Sequence, residues 1–205
     1  MIKHRPFLIV VSAPSGSGKT TIVRMVLQKM NDLFYSVSAT TRKKRPGEVD
    51  GKDYIFVSHE TFAKWIDEGE VVEWAEIYGE YYGTPKDPID RALKEGRDVI
   101  LDLDIHGKRA LEKLYGKDVV SVFLLPPSIE ELRRRLISRG AESPEKLKLR
   151  LALSKEEMKW GYEYDYIVLN DIREVATDNV ISIIKAERMR RERIVNLKEI
   201  VGNED

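Results

Sequence analysis

A chain of 205 residues, 42% hydrophobic and 34% charged, can bury one good core with small inserted subdomains, which excludes a disordered or membranous protein. It has no cysteine, which excludes disulfides and thiolate metal sites and predicts a cytoplasmic protein. Lysine plus arginine equals aspartate plus glutamate at 35 each, so no whole-chain field favours nucleic acid. No apolar run predicts a membrane-spanning helix, and residues 1–6 lack the apolar core of a signal peptide.

A strand, a glycine-containing turn and a helix are predicted in succession near the N-terminus. The apolar run at 7–11 predicts a buried parallel strand, and the alternation of apolar and polar residues over 21–30 predicts a helix. Between them lies the sequence Ala13-Pro14-Ser15-Gly16-Ser17-Gly18-Lys19-Thr20. The flanking strand and helix favour a phosphate-binding P-loop over a chance Gly-Lys-Thr in a turn.

Each part of this loop has a physical role in binding phosphate. Gly16 and Gly18 let successive backbone N–H groups point into one concavity, to which the helix start adds partial positive charge. Lys19 supplies a charge for the β- and γ-phosphates, and the Thr20 hydroxyl can ligate Mg²⁺. Ala13 stands where the usual first glycine would be, but it closes the strand, where extended dihedrals accommodate a Cβ.

Residues 36–84 predict a compact, mostly β insertion after the P-loop unit. The polar segment at 36–48 contains four successive basic residues and ends in a turn, and 51–57 returns to strand character. Ser58 is placed to cap a short helix that ends at Gly69. Residues 71–76 and 81–84 predict two strands joined by a turn at Gly79-Glu80.

Strands and helices alternate again after the insertion. Further helices are predicted over 87–95, up to 115, and over 128–139, 143–160 and 173–201. Further strands are predicted over 98–104, 119–125 and 166–169. About five parallel strands, each followed by a helix, make the α/β core of a P-loop kinase. Ligands bind at the carboxyl ends of such strands, where the P-loop, Asp102 with Asp104, and Asn170 with Asp171 all fall.

The strand at 98–104 ends in two carboxylates. Such a carboxylate can hold Mg²⁺, directly or through water, opposite the P-loop threonine. Because Asp102 and Asp104 alternate along a strand with Leu103 between them, we expect them to share one face. The alternative is an acidic strand end that caps the next helix.

Two groups of arginines can supply positive charge to phosphate. Arg42 and Arg45 lie in a polar loop, and a guanidinium binds phosphate oxygens bidentately. Charge alone leaves this interpretation and a solvated loop equally open for these two residues, whereas Lys43 and Lys44 are interpreted as solvated.

The second group consists of Arg133, Arg135, Arg139 and Arg150. Arg135 and Arg139 are one helical turn apart and share a face. A mobile segment could bring such cations to a migrating phosphoryl group while excluding water. The alternative is a surface helix with ordinary ion pairs to neighbouring glutamates, and it is preferred for Arg133 and Arg134. The basic tail at 185–193 is interrupted by glutamates, which favours a solvated helix face over a nucleic-acid patch.

Taken together, these residues closely resemble the guanylate kinase family over essentially the whole chain. The most specific stretch is 36–48, which continues into 51–56, and 73–75, 81–84 and 100–104 match as well. The resemblance implies ATP-dependent phosphorylation of GMP to GDP in purine nucleotide metabolism, with dGMP as an expected second substrate and Mg²⁺ as cofactor. It also implies a P-loop core (1–35, 89–127 and 161–205), a GMP-binding insertion (36–88) and an arginine-bearing helical lid (128–160). No nucleic-acid or membrane partner is expected.

The resemblance also implies a role for individual residues. Those implied to bind ATP are Ala13, Pro14, Ser15, Gly16, Ser17, Gly18, Lys19, Thr20, Thr21 and Asn170. Those implied to bind GMP are Ser38, Glu73 and Thr84 at the guanine, Arg42, Arg45, Tyr54 and Tyr82 at the phosphate, and Asp102. Those implied to act in catalysis are Lys19, Arg135, Arg139 and Arg150, and those implied to hold Mg²⁺ are Thr20, Asp102 and Asp104.

Two other functions are open at this point. A guanylate-kinase-like binding module of a scaffold protein would keep the GMP pocket while losing the P-loop and the lid arginines. A related P-loop kinase that acts on another small phosphate ester would not need Ser38, Glu73 and Thr84 together. A panel of nucleoside monophosphates would separate the second alternative from a GMP kinase.

Overall fold

The structure is a computed structural model that describes residues 2–138 and 144–202. Its strands are β1 (Leu8–Ser12), β2 (Phe34–Tyr35), β3 (Ala39–Thr40), β4 (Ile55–Phe56), β5 (Val71–Ile77), β6 (Glu80–Pro85), β7 (Val99–Asp102), β8 (Val119–Leu125) and β9 (Tyr166–Leu169). Its α-helices are α1 (Lys19–Lys29), α2 (His59–Asp67), α3 (Lys86–Lys94), α4 (Ile105–Tyr115), α5 (Ile129–Ser138), α6 (Pro144–Lys159), α7 (Arg173–Arg188) and α8 (Leu197–Val201). None of these described helices is long and apolar enough to cross a lipid bilayer.

Five strands form the predicted parallel sheet, in the order β2-β7-β1-β8-β9. All five residues of the central strand β1 are buried, as expected for a strand covered on both faces. Ile9 and Val11 pack with α1 and α7 on one face, whereas Leu8 and Val10 pack with α3 and α4 on the other. The sheet therefore lies between two helical layers and brings the carboxyl ends of β1, β7 and β9 to one edge.

The insertion after β2 forms a second sheet of four strands, in the order β4-β3-β6-β5. The predicted cap of α2 is present, because Ser58 Oγ accepts a hydrogen bond from the Thr61 N–H at 3.0 Å. The turn between β5 and β6 has φ of 54° at Tyr78 and 80° at Gly79, the positive values of a type I′ hairpin turn. The predicted turn at Gly79-Glu80 is therefore wrong by one residue, since Glu80 already belongs to β6.

The single helix predicted over 173–201 is wrong. α7 ends at Arg188, because the chain beyond it pairs with the N-terminal segment instead of continuing the helix. The Arg5 N–H donates to the Arg193 carbonyl at 2.7 Å, and the Val195 N–H donates to the Lys3 carbonyl at 3.0 Å. These backbone contacts join the two ends of the chain, which a local helical pattern cannot reveal.

One basic residue of the tail is buried, so the prediction of a solvated helix face is wrong for Arg193. Arg193 is 3% exposed, and its guanidinium lies 4.3 Å from the centroid of the Phe7 ring. Its Nε donates to Glu187 Oε2 at 3.3 Å, and the Tyr166 hydroxyl donates to Glu187 Oε1 at 2.6 Å. These charges hold the C-terminal segment against the core.

Candidate active site

The phosphate-binding loop connects β1 to α1, as the sequence predicts. Gly16 and Gly18 have φ of 88° and 89°, a left-handed conformation that favours glycine. A Cβ on Gly16 would lie 2.5 Å from Leu136 Cδ2, so α5 packs directly against this loop. The loop is therefore covered by the helix that carries Arg135.

Asp102, at the end of β7, connects that strand to the start of α1. Its Oδ1 lies 2.6 Å from Lys19 Nζ, and its Oδ2 accepts a hydrogen bond from Thr20 Oγ1 at 2.9 Å. Lys19 Nζ also donates to the Leu103 carbonyl at 3.0 Å. An ammonium group has three hydrogens, and these two contacts use two of them. The carboxylate thus holds the lysine charge beside the loop.

Asp104 does not continue the strand. β7 ends at Asp102, and Asp104 caps α4, with its Oδ1 accepting from the His106 N–H at 2.9 Å and the Gly107 N–H at 3.0 Å. The expectation that both carboxylates alternate along one strand face is therefore wrong. The physical reason is that the first N–H groups of a helix need acceptors, which an aspartate side chain supplies.

The oxygens of Thr20 and Asp102 form a donor set that fits Mg²⁺. Mg²⁺ is usually bound through one or two carboxylates, with water and substrate phosphates completing its shell. Within residues 2–138 and 144–202 no group of three or more histidine, cysteine, aspartate or glutamate side chains could hold a metal ion. A hydroxyl and a carboxylate leave room for phosphate oxygens in the shell of such an ion.

A cavity of about 990 Å³ lies between α1 and the insertion. Five predicted site residues line it, namely Lys19, Thr20, Ser38, Tyr54 and Asp102. The first sheet contributes the P-loop and the end of β7, and the insertion contributes the other two side chains. One cavity thus joins the phosphate-binding loop to the insertion.

Arg42 is held by Glu48, a residue that was not predicted to belong to the site. Arg42 Nη1 and Nη2 donate to the two oxygens of Glu48 at 3.0 and 2.8 Å, and the Arg45 N–H donates to Glu48 Oε2 at 2.7 Å. The hydrogen bonds from Arg42 lower the pKa of Glu48 to about 2. The sequence signal for this ion pair is the acidic residue directly after the Pro46-Gly47 turn. Such a turn folds the chain back, so that Glu48 can meet Arg42.

Arg42 also lies close to the two tyrosines that are predicted to bind the GMP phosphate. Its guanidinium lies 5.4 Å from the centroid of the Tyr54 ring, and it interacts electrostatically with the Tyr82 side chain. The two tyrosine rings are 6.0 Å apart. The structure therefore brings together three of the four side chains predicted to hold the GMP phosphate.

Glu73 and Thr84 face each other across the β5–β6 hairpin. Thr84 Oγ1 donates to Glu73 Oε1 at 2.7 Å. Burial raises the pKa of Glu73 above its usual value, while the bond from Thr84 acts in the opposite direction. The pair does not line the cavity described above, but Glu73 interacts electrostatically with Asp104 and Lys19 at the edge of the first sheet.

Arg135 contacts the backbone of the phosphate-binding loop. Its Nη1 donates to the Ser17 carbonyl at 3.3 Å, its Nη2 donates to the Asn170 carbonyl at 3.0 Å, and its Nε donates to Glu131 Oε1 at 2.9 Å. Asn170 is 2% exposed, and its Nδ2 donates to the Ser17 carbonyl at 2.6 Å. Arg135 therefore meets the loop from α5, and Asn170 meets it from the end of β9.

The other predicted arginines have different outcomes. Arg134 pairs with Glu131, which agrees with the ordinary ion pair that was preferred for it. Arg150 is an exposed residue of α6. Arg139 lies outside the described residues.

Comparisons with known proteins point to one family. A family model described as guanylate kinase matches residues 5–187. Curated guanylate kinases of Nitrobacter winogradskyi and Maricaulis maris are each 46% identical to this chain, over 98% and 97% of it and 91% of their own lengths. A crystal structure of guanylate kinase from Anaplasma phagocytophilum superposes with a TM-score of 0.79 at 33% identity, covering 100% of this chain and 97% of that one. The P-loop, the insertion and these matches over nearly full length identify the chain as a member of the guanylate kinase family.

Proposed function

We propose that this chain transfers the γ-phosphoryl group of ATP to GMP and so forms ADP and GDP. The observation that carries this function is the shared cavity, because Lys19 and Asp102 beside the P-loop line it together with Ser38 and Tyr54 of the insertion. A donor and an acceptor that enter such a cavity from opposite ends meet at its centre. Such alignment is the main requirement for phosphoryl transfer.

The donor site in this proposal is the loop itself. The loop N–H groups and the Lys19 ammonium bind the phosphates of ATP, and Asn170 lies beside the adenine end. Thr20 and Asp102 would hold Mg²⁺, which would supply positive charge to neutralise the phosphates. Asp104 supports the same edge by ordering the start of α4.

The acceptor site is the insertion. Arg42, Arg45, Tyr54 and Tyr82 hold the phosphate of GMP, and Glu48 keeps the Arg42 guanidinium oriented for it. A phosphate monoester has a second pKa of about 6, so its oxygen is already a competent nucleophile at neutral pH. No general base is required, and the chain's contribution is orientation and positive charge.

The remaining arginines complete the charge balance. Arg135, Arg139 and Arg150 neutralise the transferred phosphoryl group together with Lys19. In the proposed division, 36–88 binds GMP, 128–160 covers the reacting phosphates, and the rest of the chain is the P-loop core. The lack of cysteine supports a cytoplasmic site of action.

The proposed function is tested by a panel of nucleoside monophosphates. ATP and Mg²⁺ are supplied with GMP, dGMP, IMP, AMP, CMP or UMP, and ADP release is measured. We expect GMP to give the highest kcat/KM, with dGMP also accepted. A higher kcat/KM for any base other than guanine would identify a kinase for a different phosphate ester.

The raised pKa of Glu73 predicts a pH dependence of GMP selection. The Glu73 carboxylate must be ionised to accept hydrogen bonds from both donors of guanine. Burial raises its pKa above the usual value of 4.5, so the carboxylate takes up a proton at a higher pH than a free glutamate does. We therefore expect kcat/KM for GMP to fall as the pH is lowered towards that raised pKa. Glu73→Gln serves as the reference, because dividing the two profiles cancels the titration of the GMP phosphate. A constant ratio from neutral pH downwards would contradict this assignment.

A further inference from the structure

α6 contacts the phosphate-binding loop through both backbone groups of one loop residue. The N–H of Ser15 donates to Glu157 Oε2 at 2.7 Å, and the carbonyl of Ser15 accepts from the Ser154 hydroxyl at 3.4 Å. Ser154 has no exposed surface, so this is a packed contact between the helix and the loop.

Ser154 and Glu157 share a face of α6 with Arg150. Side chains that are four and seven positions apart in a helix lie above one another on the same side. Whatever fixes positions 154 and 157 against the loop also fixes the direction in which position 150 faces. The neighbouring Glu156 lies on a different face and binds Lys159 Nζ at 2.7 Å.

The contacts of Ser15 indicate that Glu157 holds α6 against the loop and does not take the place of a nucleotide phosphate. A carboxylate on a P-loop N–H could in principle compete with a phosphate of the nucleotide, because such N–H groups bind anions. The second contact, however, is made to the Ser15 carbonyl, which is an acceptor and does not bind phosphate. Because α6 binds both the N–H and the carbonyl of Ser15, we interpret its contact with the loop as structural packing.

We propose that Glu157 is a positioning residue that seats α6 on Ser15, so that the face carrying Arg150 is directed towards the reacting phosphates. This inference rests on the proposed function, in which Arg150 neutralises the transferred phosphoryl group. Glu157 acts through the loop contact and through Arg150, and not by touching GMP, which the insertion binds.

The first test compares Glu157→Ala with Glu157→Gln and the control Glu156→Ala. Glu157→Ala should lower kcat by about tenfold or more while leaving the KM for GMP nearly unchanged, because a small misplacement of a catalytic group is costly. Glu157→Gln should keep most of the activity, since its amide oxygen can accept the same N–H. Glu156→Ala removes an exposed ion pair and should behave as the wild type. A lower KM for ATP or a higher kcat in Glu157→Ala would overturn the inference and indicate competition with phosphate.

The second test asks whether Glu157 acts through Arg150. The double variant Glu157→Ala with Arg150→Ala should be no slower than Arg150→Ala alone, because residues that act as a unit are not additive. Independent, additive losses would contradict a positioning role.

Hydrogen exchange gives a measurement that does not depend on activity. Glu157→Ala should increase amide exchange along α6 and leave α5 unchanged. Unchanged exchange in α6 would overturn the inference while leaving the proposed function intact. If wild type and Glu156→Ala both fail to phosphorylate GMP, the proposed function is wrong instead. The exchange result then still shows whether Glu157 holds α6 against the loop.

Discussion

Lys19→Met should lower turnover by about a hundredfold or more while leaving GMP binding largely intact. Lys19 places its ammonium 2.6 Å from Asp102 at the phosphate-binding loop, and methionine keeps an unbranched side chain of four atoms but removes the ammonium group. The loss of one preorganised charge contact at a reacting group typically costs about 10²–10³ in rate. The measurement is kcat with saturating ATP and GMP, together with GMP affinity by titration.

Lys29→Met is the matched control for this variant. Lys29 belongs to the same helix, but it binds the exposed Asp178 at 2.6 Å and lies at the far end of α1. It should retain wild-type turnover. Wild-type turnover in purified, folded Lys19→Met would contradict the assignment of the P-loop as the donor site.

Glu73→Gln should lower kcat/KM for GMP by one or more orders of magnitude and reduce the preference for GMP over AMP. Guanine presents N1–H and the 2-amino group side by side, and one carboxylate can accept from both. Adenine offers an acceptor at N1 and no 2-amino group, so the partly buried carboxylate would keep its bond from Thr84 but gain none from the base. Sites that recognise substrate hydrogen bonds in this way can discriminate by about 10⁴-fold or more.

The control for base selection is Glu76→Gln, on the same strand. Glu76 is exposed, whereas Glu73 is partly buried and accepts the bond from Thr84. Both variants are assayed with GMP, IMP and AMP, and IMP should fall between the other two because it lacks the 2-amino group. If Glu73→Gln kept the wild-type preference for GMP over AMP, guanine would have to be read by Ser38, Thr84 or the backbone.

The parallel sheet and the P-loop could be predicted because their signals are local. The buried strand at 7–11, the two glycines and the Lys-Thr pair are contiguous, and each element agrees with the next. The mostly β insertion and the cap at Ser58 follow from turn residues and from spacing in the same way. Asp102 was predicted beside Thr20 because parallel strands bring their carboxyl ends to one edge.

The features that sequence reasoning missed depend on contacts between distant residues. The end of α7 is set by pairing with the N-terminal segment, and Glu157 meets Ser15 from a helix far along the chain. The capping role of Asp104 was open as an alternative, but strand alternation and a helix cap give the same local pattern. Arg193 looked like one more surface cation, although it is buried over the Phe7 ring.

Phosphoryl transfer from ATP to GMP is tested most directly by following the transferred group itself. ATP labelled at the γ-phosphate is mixed with GMP and Mg²⁺, and the products are separated by chromatography. We expect the label to appear in the β-phosphate of GDP in a one-to-one ratio with ADP, and little to be released without GMP. Label that appears mainly as inorganic phosphate, with GMP recovered unchanged, would contradict it.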